Sequence, residues 1–117
     1  MIAVSNPNAA THQHRRVPGW YAQYRERLTS AEDAMRSLSS DSCVFMSGMC
    51  CVPQVLLRAL VNRAPELHNV ELIQLLTIAD SSYVAPGMEQ HLRVNTLFVS
   101  PNVRAAVNEG RVDFTPR

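Results

Sequence analysis

The sequence predicts an α/β fold, an open and mostly parallel sheet of three to four strands with flanking helices on both faces. Three observations carry that expectation. Short apolar runs begin near Val44, Val70 and Thr96, 26 residues apart each time, the length of a strand–helix–strand unit with a right-handed crossover. Residues 44–60, VFMSGMCCVPQVLLRAL, read as a strand, a glycine loop and a helix. The run at 70–78, VELIQLLTI, is apolar on both sides apart from Glu71 and Gln74, as in a strand covered on both faces.

Residues 1–18 show neither helical nor strand periodicity and are expected to be a disordered leader ahead of one domain at 19–117. From Trp20 the spacing turns helical: Trp20, Tyr24 and Leu28 share a face, which should pack by its aromatics. Thr29 followed by Glu32 fits a capping box. Ala31, Ala34, Met35 and Leu38 then form an apolar stripe, so a second helix should reach about Leu38. The first strand, Val44 to Met46, breaks at Ser47 and Gly48.

Pro53 suits a first helical turn, where a missing N–H costs nothing, and Leu56, Leu57, Leu60, Val61 and Ala64 follow at helical spacing. The second strand should occupy 70–78, a loop 80–87, and one or two helical turns 88–93. Leu97, Phe98 and Val99 mark a third strand at 95–100, and Pro101 opens a helix that carries Val103, Ala106 and Val107 on one face. Gly110 should close that helix in the left-handed conformation. A fourth short strand at 112–115 would point Val112 and Phe114 to one side, which nothing later in the sequence covers. The sheet is therefore expected to be incomplete without a further domain or a partner copy.

Composition narrows the function classes. An apolar fraction of 46% with 18% charged residues is that of an ordinary globular domain. A net charge of +1, from 11 basic and 10 acidic residues, leaves no electrostatic footprint for nucleic acid or an anionic membrane. No segment resembles a signal peptide or approaches the ~20 apolar residues of a membrane span, so the cytoplasm is the expected compartment. Cys43, Cys50 and Cys51 read as reduced, buried thiols. His12, His14, His68 and His91 supply no metal-ligand spacing, and no metal or bound cofactor is expected.

A candidate ligand position lies where an α/β sheet places it, in the glycine loop at 47–53 after the first strand, beside the free amides of the following helix. A lone Gly48 falls well short of a dinucleotide-binding G-x-G-x-x-G, and turning the chain is its alternative role. Asn95, Arg104 and Arg111 are further candidates, since arginine can fork onto a carboxylate or phosphate.

Three stretches carry a resemblance to a known family: TSAEDAMRSLSSDSCVF, PQVLLRALVNRAPELHNVELI and, most specifically, HLRVNTLFVSPNVRAAVNEGRVDFTP. Over residues 20–116 the chain resembles the N-terminal part of the acetyl-CoA hydrolase and CoA-transferase family, most closely the 4-hydroxybutyrate and related carboxylate CoA-transferases. The resemblance implies an open α/β sheet in the first of two domains, with the active site between them. It implies acyl-CoA and a carboxylate as substrates with coenzyme A as the group transferred, or hydrolysis of the thioester in some members. It also implies that the loops at 47–53 and 77–82 face the cleft between the domains, where the amides of Gly48 and Met49 and the hydroxyls of Ser81 or Ser82 are the candidate donors to a substrate oxygen. It also implies a glutamate in the second domain that attacks the thioester and is carried through covalent intermediates. None of Glu26, Glu32, Glu66, Glu71, Glu89 and Glu109 stands in that nucleophile's motif, so no catalytic residue is assigned. On this reading the chain is an N-terminal fragment, inactive alone. Two rival readings stay open: a non-catalytic module that completes a separate second-domain chain, and a small nucleotide-binding α/β domain of flavodoxin type.

Overall fold

The computed structural model describes residues 19–116, so the expected leader at 1–18 lies outside the described residues. Four strands, β1 (Cys43–Met46), β2 (Val70–Gln74), β3 (Leu92–Thr96) and β4 (Val112–Phe114), form one sheet in the order β1-β2-β3-β4, every pair parallel. The helices are α1 (Trp20–Arg27), α2 (Ala31–Met35), α3 (Gln54–Arg63) and α4 (Arg104–Asn108), with 3-10 turns at Ala64–Glu66, Ser82–Val84 and Met88–Gln90.

The α/β class and the parallel sheet stand as expected, but the covering of the sheet does not. Each strand is added on the same side of the last, and right-handed crossovers then deliver every connection to one face. That face carries Val44, Met46, Val70, Leu72, Leu92, Val94 and Val112, and it packs against Leu57, Leu60, Ala64, Val84, Val103 and Ala106 as a single core. Each fully buried Val, Leu or Met among them contributes roughly 1.5–3 kcal/mol by leaving water. The opposite face pairs Cys43, Glu71 and Arg93 in one row and Phe45, Ile73, Asn95 and Asp113 in the next. Phe45 is 68% exposed there.

Several boundaries shift for identifiable reasons. The even strand spacing is not kept, because β3 begins at Leu92 within the segment read as helical, and Leu97 to Val99 belong to the loop that follows. Likewise β2 stops at Gln74, and the apolar residues after it form a loop. Of the pair feared uncovered in β4, Val112 is 4% exposed beneath the core and only Phe114, at 46%, stands out. Helix α1 buries none of its residues; Trp20, Tyr21 and Tyr24 pack on one another, with ring centroids 5.8–6.5 Å apart. Gly110 closes α4 as expected, at φ 74°, with its own N–H bonded to the Val107 carbonyl and that of Arg111 to the Ala106 carbonyl.

The cap of α2 falls one residue later than the capping box implied. Ser30 is the N-cap, its Oγ accepting from the Asp33 amide at 3.0 Å, with Glu32 and Asp33 in the first turn. Ser30→Ala is therefore expected to lower stability by about 1 kcal/mol, and Thr29→Ala to leave it nearly unchanged. Urea midpoints of the two variants distinguish the caps; a larger loss in Thr29→Ala would restore the original assignment.

Candidate functional site

The loops at the carboxyl ends of β1, β2 and β3 meet on one edge of the sheet. After β1 the chain passes through Ser47 and Gly48 into a turn in which Met49 takes φ 56° and the Cys51 amide donates to the Gly48 carbonyl at 3.0 Å. Ser47 Oγ donates to the Cys51 carbonyl at 2.6 Å and fastens the same turn. This loop lies edge to edge with the one after β2: Met49 N–H donates to the Leu76 carbonyl at 2.8 Å, and Met49 bridges Thr77 in parallel register. A Cβ on Gly48 would sit 2.3 Å from the Leu76 carbonyl oxygen, so glycine is required by close approach of the two backbones. The loop after β3 joins them through Leu97 N–H to the Gln74 carbonyl at 3.0 Å and Phe98 N–H to the Leu75 carbonyl at 2.9 Å.

Beneath the loops lies a buried polar network. Tyr83, fully buried, donates from its hydroxyl to Gln74 Oε1 at 2.7 Å and sits 2.7 Å from Thr77 Oγ1. Gln74 Nε2 donates to Thr96 Oγ1, which in turn donates to the Phe98 carbonyl at 2.7 Å. Asn102 Nδ2 donates to the Ala79 carbonyl at 2.9 Å and reaches Thr77 Oγ1 at 3.4 Å, while Ser100 Oγ donates to Asn102 Oδ1. Burial pushes the Tyr83 phenol above its ordinary value of 10.0, and the hydrogen bonds to Thr77 and Gln74 act against that shift. The network joins the loop after β2 to the loop after β3. Sequence reasoning missed these residues. The signal that marks them is a polar residue closing an apolar run, as Gln74 and Thr96 do on the covered face of their strands.

The four sequence-derived site residues fall on these loops but are not equally free. The Met49 amide is committed to Leu76, which leaves Met49 its half-exposed side chain to offer. Ser82 closes a turn on Asp80, its amide donating to Oδ1 at 3.0 Å and its hydroxyl to Oδ2 at 3.2 Å. Ser82 and Asp80 border a small cleft shared with Gln54 and Arg58 at the start of α3. Ser81, partly buried, is the neighbouring hydroxyl. A separate apolar groove of about 250 Å³ runs along the free edge of β1, between Leu38 of the segment after α2 and Leu56 of α3.

Two of the remaining three candidates have structural partners. Arg111 donates from Nε and Nη2 to Glu109 Oε2 at 2.8 and 2.6 Å, and from Nη1 to the Val84 carbonyl, so it clamps the α4–β4 corner. Asn95 accepts from Thr115 Oγ1 on the open face, and Arg104 is exposed on α4. Among the described residues, no group of three or more His, Cys, Asp or Glu is placed to hold a metal ion, and no helix is long and apolar enough to cross a membrane.

The cysteines correct the sequence reading, for all three are exposed. Cys43 opens an edge strand on the uncovered face, so its strand does not bury it. Desolvation of its thiol comes first in raising it above 9.0, although the residue is exposed overall; the facing Glu71 carboxylate and a hydrogen bond to it add to the effect. Thiol titration at neutral pH should therefore label Cys50 and Cys51 before Cys43, and the gap should narrow in Glu71→Gln. Faster labelling of Cys43 than of the other two would contradict the influence of Glu71.

Comparison with known proteins places this architecture. Residues 9–117 match the family described as the acetyl-CoA hydrolase/transferase N-terminal domain. The 4-hydroxybutyrate coenzyme A transferase of Clostridium kluyveri is 34% identical over 97 residues, covering 83% of this chain and 23% of that protein. The succinyl-CoA:cyclohexane-1-carboxylate CoA transferase of Geobacter metallireducens is 30% identical, over 80% of this chain and 21% of that protein. The crystal structure of RipA from Yersinia pestis superposes with a TM-score of 0.75 at 26% identity, over 83% of this chain and 25% of that one. The chain thus spans a quarter or less of the length of these relatives. With the sequence match covering nearly all of it and the parallel sheet superposing as well, the chain belongs to the acetyl-CoA hydrolase/transferase N-terminal domain family.

Proposed function

We propose that these residues supply one wall of the acyl and CoA cleft of an acyl-CoA:carboxylate CoA-transferase or acetyl-CoA hydrolase, and that they do no chemistry alone. The observation that carries this reading is the locked pair of loops at the carboxyl ends of β1 and β2, where open α/β sheets bind their ligands. Gly48 keeps the backbone low enough for the loops to join, Met49 offers an apolar side chain, and the Ser81 and Ser82 hydroxyls flank the position of an acyl or carboxylate oxygen. With a 4-hydroxybutyrate coenzyme A transferase among the relatives, a short carboxylate is the acceptor we favour. The covalent step needs a carboxylate nucleophile, which the resemblance locates in a second domain supplied by the remainder of the polypeptide or by a partner. A flavodoxin-like nucleotide site has less support, because that fold exchanges its first two strands whereas here they follow in order.

The purified chain, incubated with acetyl-CoA and acetate, butyrate or 4-hydroxybutyrate, is expected to show no turnover. Adding the second domain of a related CoA-transferase should raise its unfolding midpoint. Turnover that survives repurification and is lost on changing one of its own glutamates, such as Glu71→Gln, would overturn the reading.

A further inference from the structure

We propose that Cys50 and Cys51 form an oxidative modification site, a vicinal dithiol that hydrogen peroxide converts to a disulfide between neighbouring residues. Both thiols are free and exposed, and they sit side by side in the turn that follows β1. That turn is held at both ends, by the Cys51 amide on the Gly48 carbonyl and by Ser47 Oγ on the Cys51 carbonyl. The two thiols are thus neighbours on one fastened turn, while Cys43 lies at the far end of β1 on the open face. One sulfur attacks the peroxide, the O–O bond breaks, and water leaves as that sulfur becomes a sulfenic acid. The adjacent thiol then attacks it, expels a second water and closes the S–S bond. The pair gives up two electrons and two protons, and one peroxide becomes two waters.

Adjacent Cα atoms stand ~3.8 Å apart, closer than the roughly 4.4–6.8 Å of an ordinary disulfide. The ring is strained, so it is readily reduced again, as reversible rather than structural disulfides are. Closing it must also turn the peptide between Cys50 and Cys51, whose N–H holds the Gly48 carbonyl. The modification thus acts on the loop that meets Leu76 and Thr77, independently of what the cleft binds.

The test is to treat the 117-residue chain with hydrogen peroxide and read intact mass, alkylation and oligomeric state without reductant. A monomer about 2 Da lighter, with Cys43 still alkylated and Cys50 and Cys51 blocked, is expected, and a mild thiol should reverse it. The Met49 amide should exchange roughly tenfold faster or more in the oxidised form, as the loop loosens locally. Cys43→Ser should behave like the parent, whereas Cys50→Ser and Cys51→Ser should not lose mass. Phenylarsine oxide, which bridges two thiols in reach of each other, gives a check on the unmutated protein: one equivalent should protect both cysteines from alkylation. A disulfide-linked dimer as the main product, separate oxygen adducts on the two sulfurs, or no protection by the arsenical would each overturn the proposal.

Discussion

Replacing Tyr83 by alanine is expected to cost about 3–5 kcal/mol, the range for deleting a large buried aromatic. Set against a typical domain stability of about 5–15 kcal/mol, that removes a large share of the total. The reason is twofold. Tyr83 is fully buried at the centre of the core, and its hydroxyl joins Gln74 to Thr77, two residues with no access to water of their own. Tyr83→Phe separates these effects: it keeps the ring, leaves Gln74 Oε1 without its donor, and should cost about 1–3 kcal/mol. Burial also holds the phenol above 10.0 in the folded state. The raised value means that the unfolded chain loses this proton first, so the associated stability is complete below pH 10 and falls as pH rises from there through the folded-state value. Urea unfolding of the parent and Tyr83→Phe, compared at pH 8 and near pH 10.5, checks both points. Equal midpoints for the two proteins at pH 8 would show that the hydroxyl holds nothing together, and an alkaline loss that persists in Tyr83→Phe would have to come from another group.

Gly48→Ala should destabilise by roughly 1–3 kcal/mol or more, the penalty of forcing atoms into a packed site. The added methyl would meet the Leu76 carbonyl oxygen at 2.3 Å, with Leu76 N at 3.2 Å and C at 3.3 Å. These are backbone atoms, which cannot swing aside as a side chain can. Relief requires the loops to part, and the Met49 to Leu76 hydrogen bond and the bridge to Thr77 go with them. The Met49 amide should accordingly exchange faster with solvent in Gly48→Ala, beyond what global unfolding explains. Ser47→Ala, which removes only the bond to the Cys51 carbonyl, serves as the milder comparison at about 0.5–1.5 kcal/mol. A Gly48→Ala protein with an unchanged midpoint and an unchanged Met49 exchange rate would mean that the two loops are not locked together.

Elements whose signals are local were legible in the sequence. Apolar runs named β1 and β2, helical spacing named α3 and α4, and Gly110 ended α4 in the left-handed conformation, because backbone sterics and the burial period act within a few residues. It also set the end of β1 at Ser47 and Gly48, since glycine after an apolar run breaks a strand, and β1 does stop at Met46. What it could not decide was which side of each strand would be covered. Apolar residues at 70–78 suggested two covered faces, yet Leu75, Leu76 and Ile78 belong to a loop and Ile73 lies on the open side. Strand order settles that question: four parallel strands laid down in sequence send every crossover to one face, and that order is a property of long-range pairing. Cys43 is exposed for the same reason, because membership of an edge strand is not written in its neighbours. The tertiary structure alone also joined Gln74, Thr77, Tyr83, Thr96 and Asn102, polar residues from two strands and the two connections after them whose hydrogen bonds exist only once the sheet brings them together.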